Sequence, residues 1–254
     1  NQINILNRMK TILSIALALA IMPTLYGANR SETTLTEGWR FTKGTADAGT
    51  EWQQVSVPHD WAIYGPFDRS NDLQVVAVEQ NGETEKTVKT GRTGGLPYVG
   101  KGEYRTTFSV AEVEGKSVTL VFDGAMSNAK VKVNGKDVGH WAFGYNSFHL
   151  CIDEAVKAGE NTLQVNLENY PESSRWYPGA GLFRNVHLVV TDKIHVPVWG
   201  TYITTPNVKN DYATVNVRTR IAGAARGNKK EVRTQVLDAK GNQVVENNTL
   251  HTIN

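Results

Sequence analysis

Short runs of alternating apolar and polar residues recur along this chain from Gly38 onward, at intervals near ten residues. No stretch keeps a helical period over three turns. Alternation puts the apolar side chains on one face of a strand, and short strands at this spacing are typical of an antiparallel β-sandwich. The sequence therefore predicts an all-β fold.

The predicted strands before residue 194 are bounded by turn residues and lie at 54–57, 104–110, 117–122, 129–133, 137–141, 148–152, 162–167 and 185–190. The dipeptide Asn134-Gly135 predicts a two-residue hairpin turn, because both residues tolerate positive φ. The dipeptide Asn81-Gly82 predicts a second such turn, between strands at 73–78 and 85–88, in an arm with a polar tip.

The spacing of the strands is interrupted at residues 194–199, and further predicted strands follow at 201–204, 213–220, 231–237 and 243–247. This places one sandwich at residues 29–195 and the opening strands of a second at 196–254. A sandwich of the immunoglobulin type needs about 100 residues to close both sheets. We therefore expect the second sandwich to be incomplete, with an exposed apolar face, and the chain to be a fragment of a longer protein.

The first 28 residues have the composition of a targeting segment. Met9 and Lys10 precede an apolar stretch over residues 11–25, which predicts a secretory signal peptide at 9–28. The stretch is shorter than the roughly 20 residues that cross a bilayer, so a membrane anchor is less favoured. Residues 1–8 precede the first methionine and are interpreted as an upstream non-native segment. The mature chain is expected to be periplasmic or secreted.

Charge and cysteine content argue against several kinds of partner. Without Arg8 and Lys10, 25 of the 27 basic residues remain and balance the 25 acidic ones, so nothing favours a nucleic-acid partner. The single cysteine, Cys151, excludes disulfides within the chain and is predicted to be a small buried residue of a strand. The histidines follow no metal-ligand spacing, so no metal or other cofactor is expected.

The segment 173–184 combines Arg175, Trp176 and Tyr177 with two glycines, at a point where one strand ends and another begins. A turn needs only the glycines, whereas aromatic rings beside a guanidinium suit a site that stacks on a pyranose and hydrogen-bonds its hydroxyls. Arg175 and Trp176 are therefore candidate substrate-binding residues. In the alternative interpretation the rings of Trp176 and Tyr177 pack into the end of the sandwich core, and Arg175 is solvated.

His59 and Asp60 are the other candidate substrate-binding residues, because they place polar groups at the exit of a strand, where loops carry function. The alternative interpretation is structural. In it, Trp61 belongs to the core, Asp60 caps backbone amides of its loop, and His59 is hydrogen-bonded within the fold.

Seven segments, taken in order, resemble the N-terminal region of glycoside hydrolase family 2 in its bacterial β-galactosidase branch: 57–63, 94–98, 102–105, 122–129, 133–135, 144–148 and 173–184. The resemblance implies a galactose-binding-like jelly-roll β-sandwich at residues 29–195, followed by an incomplete immunoglobulin-like β-sandwich at 196–254. It also implies a carbohydrate partner, either a β-galactoside or a related glycan.

In that family, two glutamates of a (β/α)₈ barrel that follows the sandwiches carry out retaining hydrolysis. The sequence shows no strand-helix alternation of that kind, so we expect the chain to lack its barrel partner, to be inactive alone and to carry no catalytic residue. The family's jelly roll sends a loop to the mouth of the active site, and Arg175 falls where some members carry an aspartate that touches the sugar. An arginine only donates hydrogen bonds, which suits an acidic or substituted sugar.

Three functions stay open at this point. The chain is the non-catalytic portion of a glycosidase, a free-standing carbohydrate-binding module without hydrolytic activity, or a structural or adhesive pair of sandwiches. A barrel sequence encoded beyond Asn254 would favour the first, and glycan binding by residues 29–195 alone would favour the second.

Overall fold

The computed structural model describes residues 29–65, 67–71, 73–90, 96–171 and 177–253. In this part of the chain the regular structure consists of antiparallel strands and one turn of 3-10 helix at Glu79–Asn81, which confirms the predicted all-β fold. The strands are β1 (Arg30–Thr34), β2 (Trp39–Lys43), β3 (Gln53–Val55), β4 (Leu73–Val76), β5 (Thr87–Thr90), β6 (Lys101–Val110), β7 (Lys116–Phe122), β8 (Ala129–Val133), β9 (Lys136–Trp141), β10 (Phe148–Cys151), β11 (Gly159–Glu168), β12 (Val186–Asp192), β13 (Thr201–Val208), β14 (Ala213–Thr219), β15 (Lys229–Leu237) and β16 (Gln243–Thr252). No helix among the described residues is long and apolar enough to cross a membrane.

Two sheets form a β-sandwich. One has the strand order β1-β12-β7-β10 and the other has the order β3-β2-β6-β11-β8-β9. Residues from both sheets bury their side chains in one continuous hydrophobic core. The largest fully buried members of that core are Trp39, Tyr104, Phe122, Leu120, Ile152, Leu163, Leu167 and Leu182.

The alternation read in the sequence decides which face of each strand meets the core. In β11, Leu163, Val165 and Leu167 are buried, whereas the residues between them are partly exposed. In β7, Val121 faces the other way, and it packs with Val189 in a small cluster on the outer side of the four-stranded sheet. This central strand is therefore covered on both faces.

The Asn134-Gly135 turn is confirmed. It joins β8 to β9, with φ of 52° at Asn134 and 80° at Gly135, and the two strands pair on either side of it. The prediction of a two-residue turn at Asn81-Gly82 is wrong in its detail. β4 and β5 do pair, but residues 77–86 connect them, and Asn81 ends the 3-10 turn that Gly82 caps with φ of 74°.

Two strands went unpredicted: β1, which has no buried face, and β2, whose alternation is limited to Trp39, Arg40 and Phe41. All of β1 is exposed, so nothing in its composition marks a buried face, yet it pairs with β12 along its full length. β2 is short and pairs with β3 and β6, burying Trp39 and Phe41.

The prediction that Cys151 is buried is wrong. Cys151 is exposed at the end of β10, an edge strand of the four-stranded sheet. Phe148 of the same strand points into the core, and side chains alternate between the two faces, so the residue three positions later points outward.

The four strands after residue 200 form two hairpins, β13-β14 and β15-β16, which are separate two-stranded sheets. Apolar residues of both hairpins line an open depression of about 930 Å³, among them Val215, Val217, Val236 and Val245. The assignment of this region as an incomplete immunoglobulin-like sandwich, and the boundary between residues 195 and 196, stay predictions.

Candidate functional site

Two segments that the sequence analysis singled out, residues 57–62 and 177–182, meet at one end of the sandwich. The backbone N–H of His59 donates to the carbonyl of Leu182 at 2.7 Å, which fixes the two segments side by side. Arg175 and Trp176 lie outside the described residues. Their substrate-binding roles stay predictions, and the described residue next to them in the chain is Tyr177.

The Asp60 carboxylate accepts three hydrogen bonds, one within its own segment and two from the other segment. Its Oδ1 accepts the backbone N–H of Ala62 at 3.0 Å, and it also accepts the hydroxyl of Tyr177 in a short hydrogen bond. Its Oδ2 accepts the backbone N–H of Ala180 at 3.3 Å. Burial, together with the hydrogen bond and the charge of Asp60, raises the pKa of Tyr177, so this phenol stays a proton donor. Asp60 therefore holds the segment that follows Arg175 and Trp176.

The His59 ring is fixed between aromatic groups. Its Nδ1 forms a 2.7 Å hydrogen bond with the hydroxyl of Tyr104, and the ring of Phe41 lies 5.0 Å away. Burial lowers the pKa of His59, and the charge of Asp60 opposes this only in part. Burial also raises the pKa of Tyr104 well above its usual value. Both groups are therefore neutral near pH 7.

Trp61 is a core residue with 2% of its surface exposed. Its indole stacks on Phe41, with ring centroids 5.5 Å apart and an interplanar angle of 14°, and its Nε1 donates to the carbonyl of Tyr98 at 3.2 Å. This arrangement of Trp61, Asp60 and His59 is the one that the structural alternative describes. Sugar contacts by His59 and Asp60 stay predictions. Nδ1 is the ring atom of His59 that is hydrogen-bonded among the described residues.

Gly181 allows the closest approach at this end of the sandwich. Its φ is +86°, and an added Cβ would overlap the Tyr104 hydroxyl and the His59 carbonyl oxygen. Its backbone pairs with Met126 through hydrogen bonds of 2.9 and 3.0 Å. A side chain at residue 181 is therefore incompatible with the contact between the two segments.

Asn169 holds the same segment from another side. Its Nδ2 donates to the carbonyl of Gly179 at 3.2 Å, and its Oδ1 accepts the hydroxyl of Ser127 at 3.1 Å. Sequence reasoning missed Tyr104, Ser127 and Asn169, because each comes from a separate part of the chain and only the sheet topology brings them here. Gly181 could have been found from the sequence, because it is one of the two glycines of the 173–184 segment.

Among the described residues, these contacts hold the two segments together. The described polar groups of the two segments mostly satisfy one another, which fixes backbone positions. Within the described ranges no group of three or more His, Cys, Asp and Glu side chains has a metal-binding arrangement.

Comparison with known proteins agrees with this architecture. Residues 95–177 match the family model of the glycosyl hydrolase 2 galactose-binding domain-like region. A β-galactosidase of Bacteroides ovatus is 35% identical over 219 residues, which cover 82% of this chain. The chain belongs to glycoside hydrolase family 2. A putative β-glucuronidase of Formosa agariphila is 32% identical to this chain over 223 residues, which cover 84% of the chain.

Solved structures of family 2 members share the fold. A glycosyl hydrolase family 2 member from Bacteroides cellulosilyticus has a TM-score of 0.74 and 30% identity over 88% of this chain. This likeness confirms the galactose-binding-like β-sandwich implied by the sequence resemblance.

The chain spans 24% of the length of the Bacteroides ovatus relative and 20% of the Formosa agariphila relative.

Proposed function

We propose that this chain is the N-terminal, non-catalytic portion of a secreted or periplasmic family 2 glycosidase, which supplies a scaffold and a substrate-site loop to a catalytic barrel outside the described region. The observation that carries the proposal is the anchoring of residues 177–182 by Asp60, Asn169 and Gly181 in a member of a glycosidase family. These contacts hold the residue that follows Trp176 at one end of the sandwich. Arg175 and Trp176 directly precede this anchored segment in the sequence, and the proposal assigns them the contact with substrate.

In this proposal the chain binds and orients substrate and moves no proton. The two carboxylates of a retaining mechanism belong to the barrel. Relatives carry the names β-galactosidase and putative β-glucuronidase, so a β-galactoside or a related glycan is the proposed substrate class. Arg175 supplies only donors, which extends that class to sugars with an acidic or substituted position.

The test uses the native polypeptide that carries this chain, with chromogenic β-galactosides and β-glucuronides as substrates. Arg175→Ala is expected to raise KM roughly tenfold on the preferred substrate, because a charge-assisted contact to the sugar is lost. Tyr177→Phe removes the hydroxyl that Asp60 holds, and we expect a smaller rise in KM without loss of folding. The exposed Arg226 provides the matched control variant Arg226→Ala.

Unchanged kinetics for Arg175→Ala would contradict the proposed loop role. Turnover by highly purified protein ending at Asn254 would contradict the proposal that the catalytic groups lie elsewhere.

One observation favours a free-standing carbohydrate-binding module as the second candidate. The hydrophobic core of the sandwich is formed entirely by residues between Leu35 and Val190, so it needs no contribution from β13 to β16. Glycan-array binding by residues 29–195, with no barrel encoded downstream of the chain, would favour this function over the first.

A further inference from the structure

The outer face of the six-stranded sheet carries a row of cationic and amide side chains in cross-strand register. Direct partners along the sheet are Gln54 with Arg40, Arg40 with Arg105, Arg105 with Gln164, and Gln164 with Lys132. We call these five residues the basic row. Their sequence neighbours on the same strands, such as Phe41, Tyr104, Leu163 and Val131, are buried in the core, so the basic row faces away from it.

The basic row lines a depression of about 690 Å³. Its lining contains three cations and no carboxylate, and hydroxyl groups of Thr107 and Thr162 complete its polar surface. Neighbouring strands lie roughly 4.8 Å apart, so Arg40 and Lys132, three strands apart, span roughly 14 Å. The depression is therefore long enough for several sugar units in a line across the strands.

Arg40 and Arg105 are directly opposite like charges, which destabilise a sheet unless other groups compensate. The Trp52 ring lies 5.6 Å from the guanidinium carbon of Arg40 and 4.8 Å from that of Arg105, so it contacts both. Arg40 has no carboxylate within ion-pair distance among the described residues, so its charge is available to a ligand.

Glu103, two residues before Arg105 on the same face of β6, fixes the guanidinium of Arg105. Its carboxylate is 1% exposed and accepts Arg105 Nε at 2.7 Å on one oxygen and Asn166 Nδ2 at 3.1 Å on the other. The backbone N–H of Ala46 donates to the second oxygen at 3.2 Å. A carboxylate with this many partners stays in place, so the remaining N–H groups of Arg105 point in a fixed direction.

We propose that the basic row is a glycan-binding surface, separate from the end of the sandwich that holds Asp60, and that it takes an acidic oligosaccharide laid across the strands. Guanidinium and ammonium groups bind its carboxylates or sulfate esters. The amides of Gln54 and Gln164 and the threonine hydroxyls bind its neutral hydroxyls. This surface retains an acidic polymer on the protein whether or not Arg175 and Trp176 contact substrate.

The test measures binding of the native polypeptide that carries this chain to four immobilised polymers: polygalacturonate, dextran sulfate, neutral dextran and duplex DNA. Arg40→Gln and Lys132→Gln are the test variants, and Lys157→Gln is the control, since Lys157 is exposed and does not line the depression. Arg105 is left intact, because its loss would leave Glu103 buried without its cation. Thermal melting checks that every variant folds.

We expect binding to polygalacturonate, to dextran sulfate or to both, weakened by added salt and reduced roughly tenfold by Arg40→Gln. Lys132→Gln should weaken binding as well, and Lys157→Gln should not. Binding to polygalacturonate alone identifies carboxylates as the recognised groups, and binding to dextran sulfate alone identifies sulfate esters. Equal binding to neutral dextran or to DNA, or equal affinity of Arg40→Gln and Lys157→Gln, would overturn the proposal.

Discussion

At the residue scale, single side chains hold distant parts of the chain together at the end of the sandwich. Asp60 connects its own loop to residues 117 and 120 positions later, and Gly181 lets that later segment approach Tyr104 and His59. Pro-His-Asp-Trp and Gly-Ala-Gly were visible in the sequence as unusual clusters. Their mutual contact was not, because it depends on how β6 and the following strands are ordered in the sheet.

The two glycines of this segment test that contact. Both have positive φ, 92° at Gly179 and 86° at Gly181, but a Cβ at Gly179 would meet nothing closer than 3.9 Å. We expect Gly179→Ala to lower the free energy of unfolding by about 1 kcal/mol through backbone strain alone. Gly181→Ala adds overlap with packed groups and should cost about 2 kcal/mol more. Urea denaturation measures both, and equal losses would show that the segment relaxes away from His59.

His59 gives stability a defined pH dependence. Because burial lowers its pKa in the folded state from the usual 6.5, the unfolded chain binds a proton more readily than the folded chain below that pH. The free energy of unfolding should therefore fall as the pH drops through 6.5 towards the lowered value. The pKa of His149 is lowered by burial and by the charge of Arg220, and its contribution has the same sign.

Chemical denaturation between pH 5 and pH 8 measures this dependence. We expect His59→Gln to flatten the loss of stability on acidification, and His149→Gln to flatten the part that His149 contributes. A pH profile for His59→Gln identical to that of the unmodified protein would contradict the burial argument.

At the element scale, the long strands that bury a face in the sandwich were predictable, whereas the exposed β1 and the short β2 were not. β8 has the bounds predicted from its alternation, and β6, β7 and β11 extend the predicted cores by a few residues at their ends. β1 was missed because all five of its residues are exposed, so its position depends on hydrogen bonding to β12 and on no hydrophobic pattern. The basic row was not predictable either, because the register between strands brings its five residues together and no single strand sequence specifies that register.

The Asn134-Gly135 turn does more than reverse the chain. Asn134 Nδ2 donates to the Ala155 carbonyl at 2.9 Å and to Asn161 Oδ1 at 2.8 Å, and its Oδ1 accepts the Thr162 N–H at 2.9 Å. The side chain thus connects the β8-β9 hairpin to the start of β11 and to Ala155 before it.

Two substitutions separate turn geometry from these hydrogen bonds. A Cβ at Gly135 would meet nothing within 4 Å, so Gly135→Ala should cost about 1 kcal/mol of unfolding free energy through its positive φ. Asn134→Gly keeps the turn but loses the hydrogen bonds, and we expect a loss of about 2 kcal/mol. Thermal and urea denaturation of the two variants provide the comparison. A larger loss for Gly135→Ala would mean that the side chain of Asn134 contributes little.

At the scale of the whole molecule, the closed sandwich and the two open hairpins should differ in solution behaviour. Apolar side chains of β14, β15 and β16 line a depression open to solvent, which favours association with other apolar surfaces. We expect residues 29–253 to bind a hydrophobic dye and to aggregate on concentration. Residues 29–195 should bind less dye and stay soluble.

Fluorescence titration with the dye and light scattering measure these differences. One cooperative, monomeric melting transition for residues 29–253, without dye binding, would contradict both the open hairpins and the boundary near residue 195.

The exposed Cys151 has a practical consequence. It is the only thiol in the sequence, and it lies two residues from His149, whose ring contacts Trp199 at 5.1 Å on the way to β13. The indole of Trp199 should quench a maleimide fluorophore attached there, because both lie beside His149. The protein can therefore be labelled at one site without engineering, next to the segment that leads into β13.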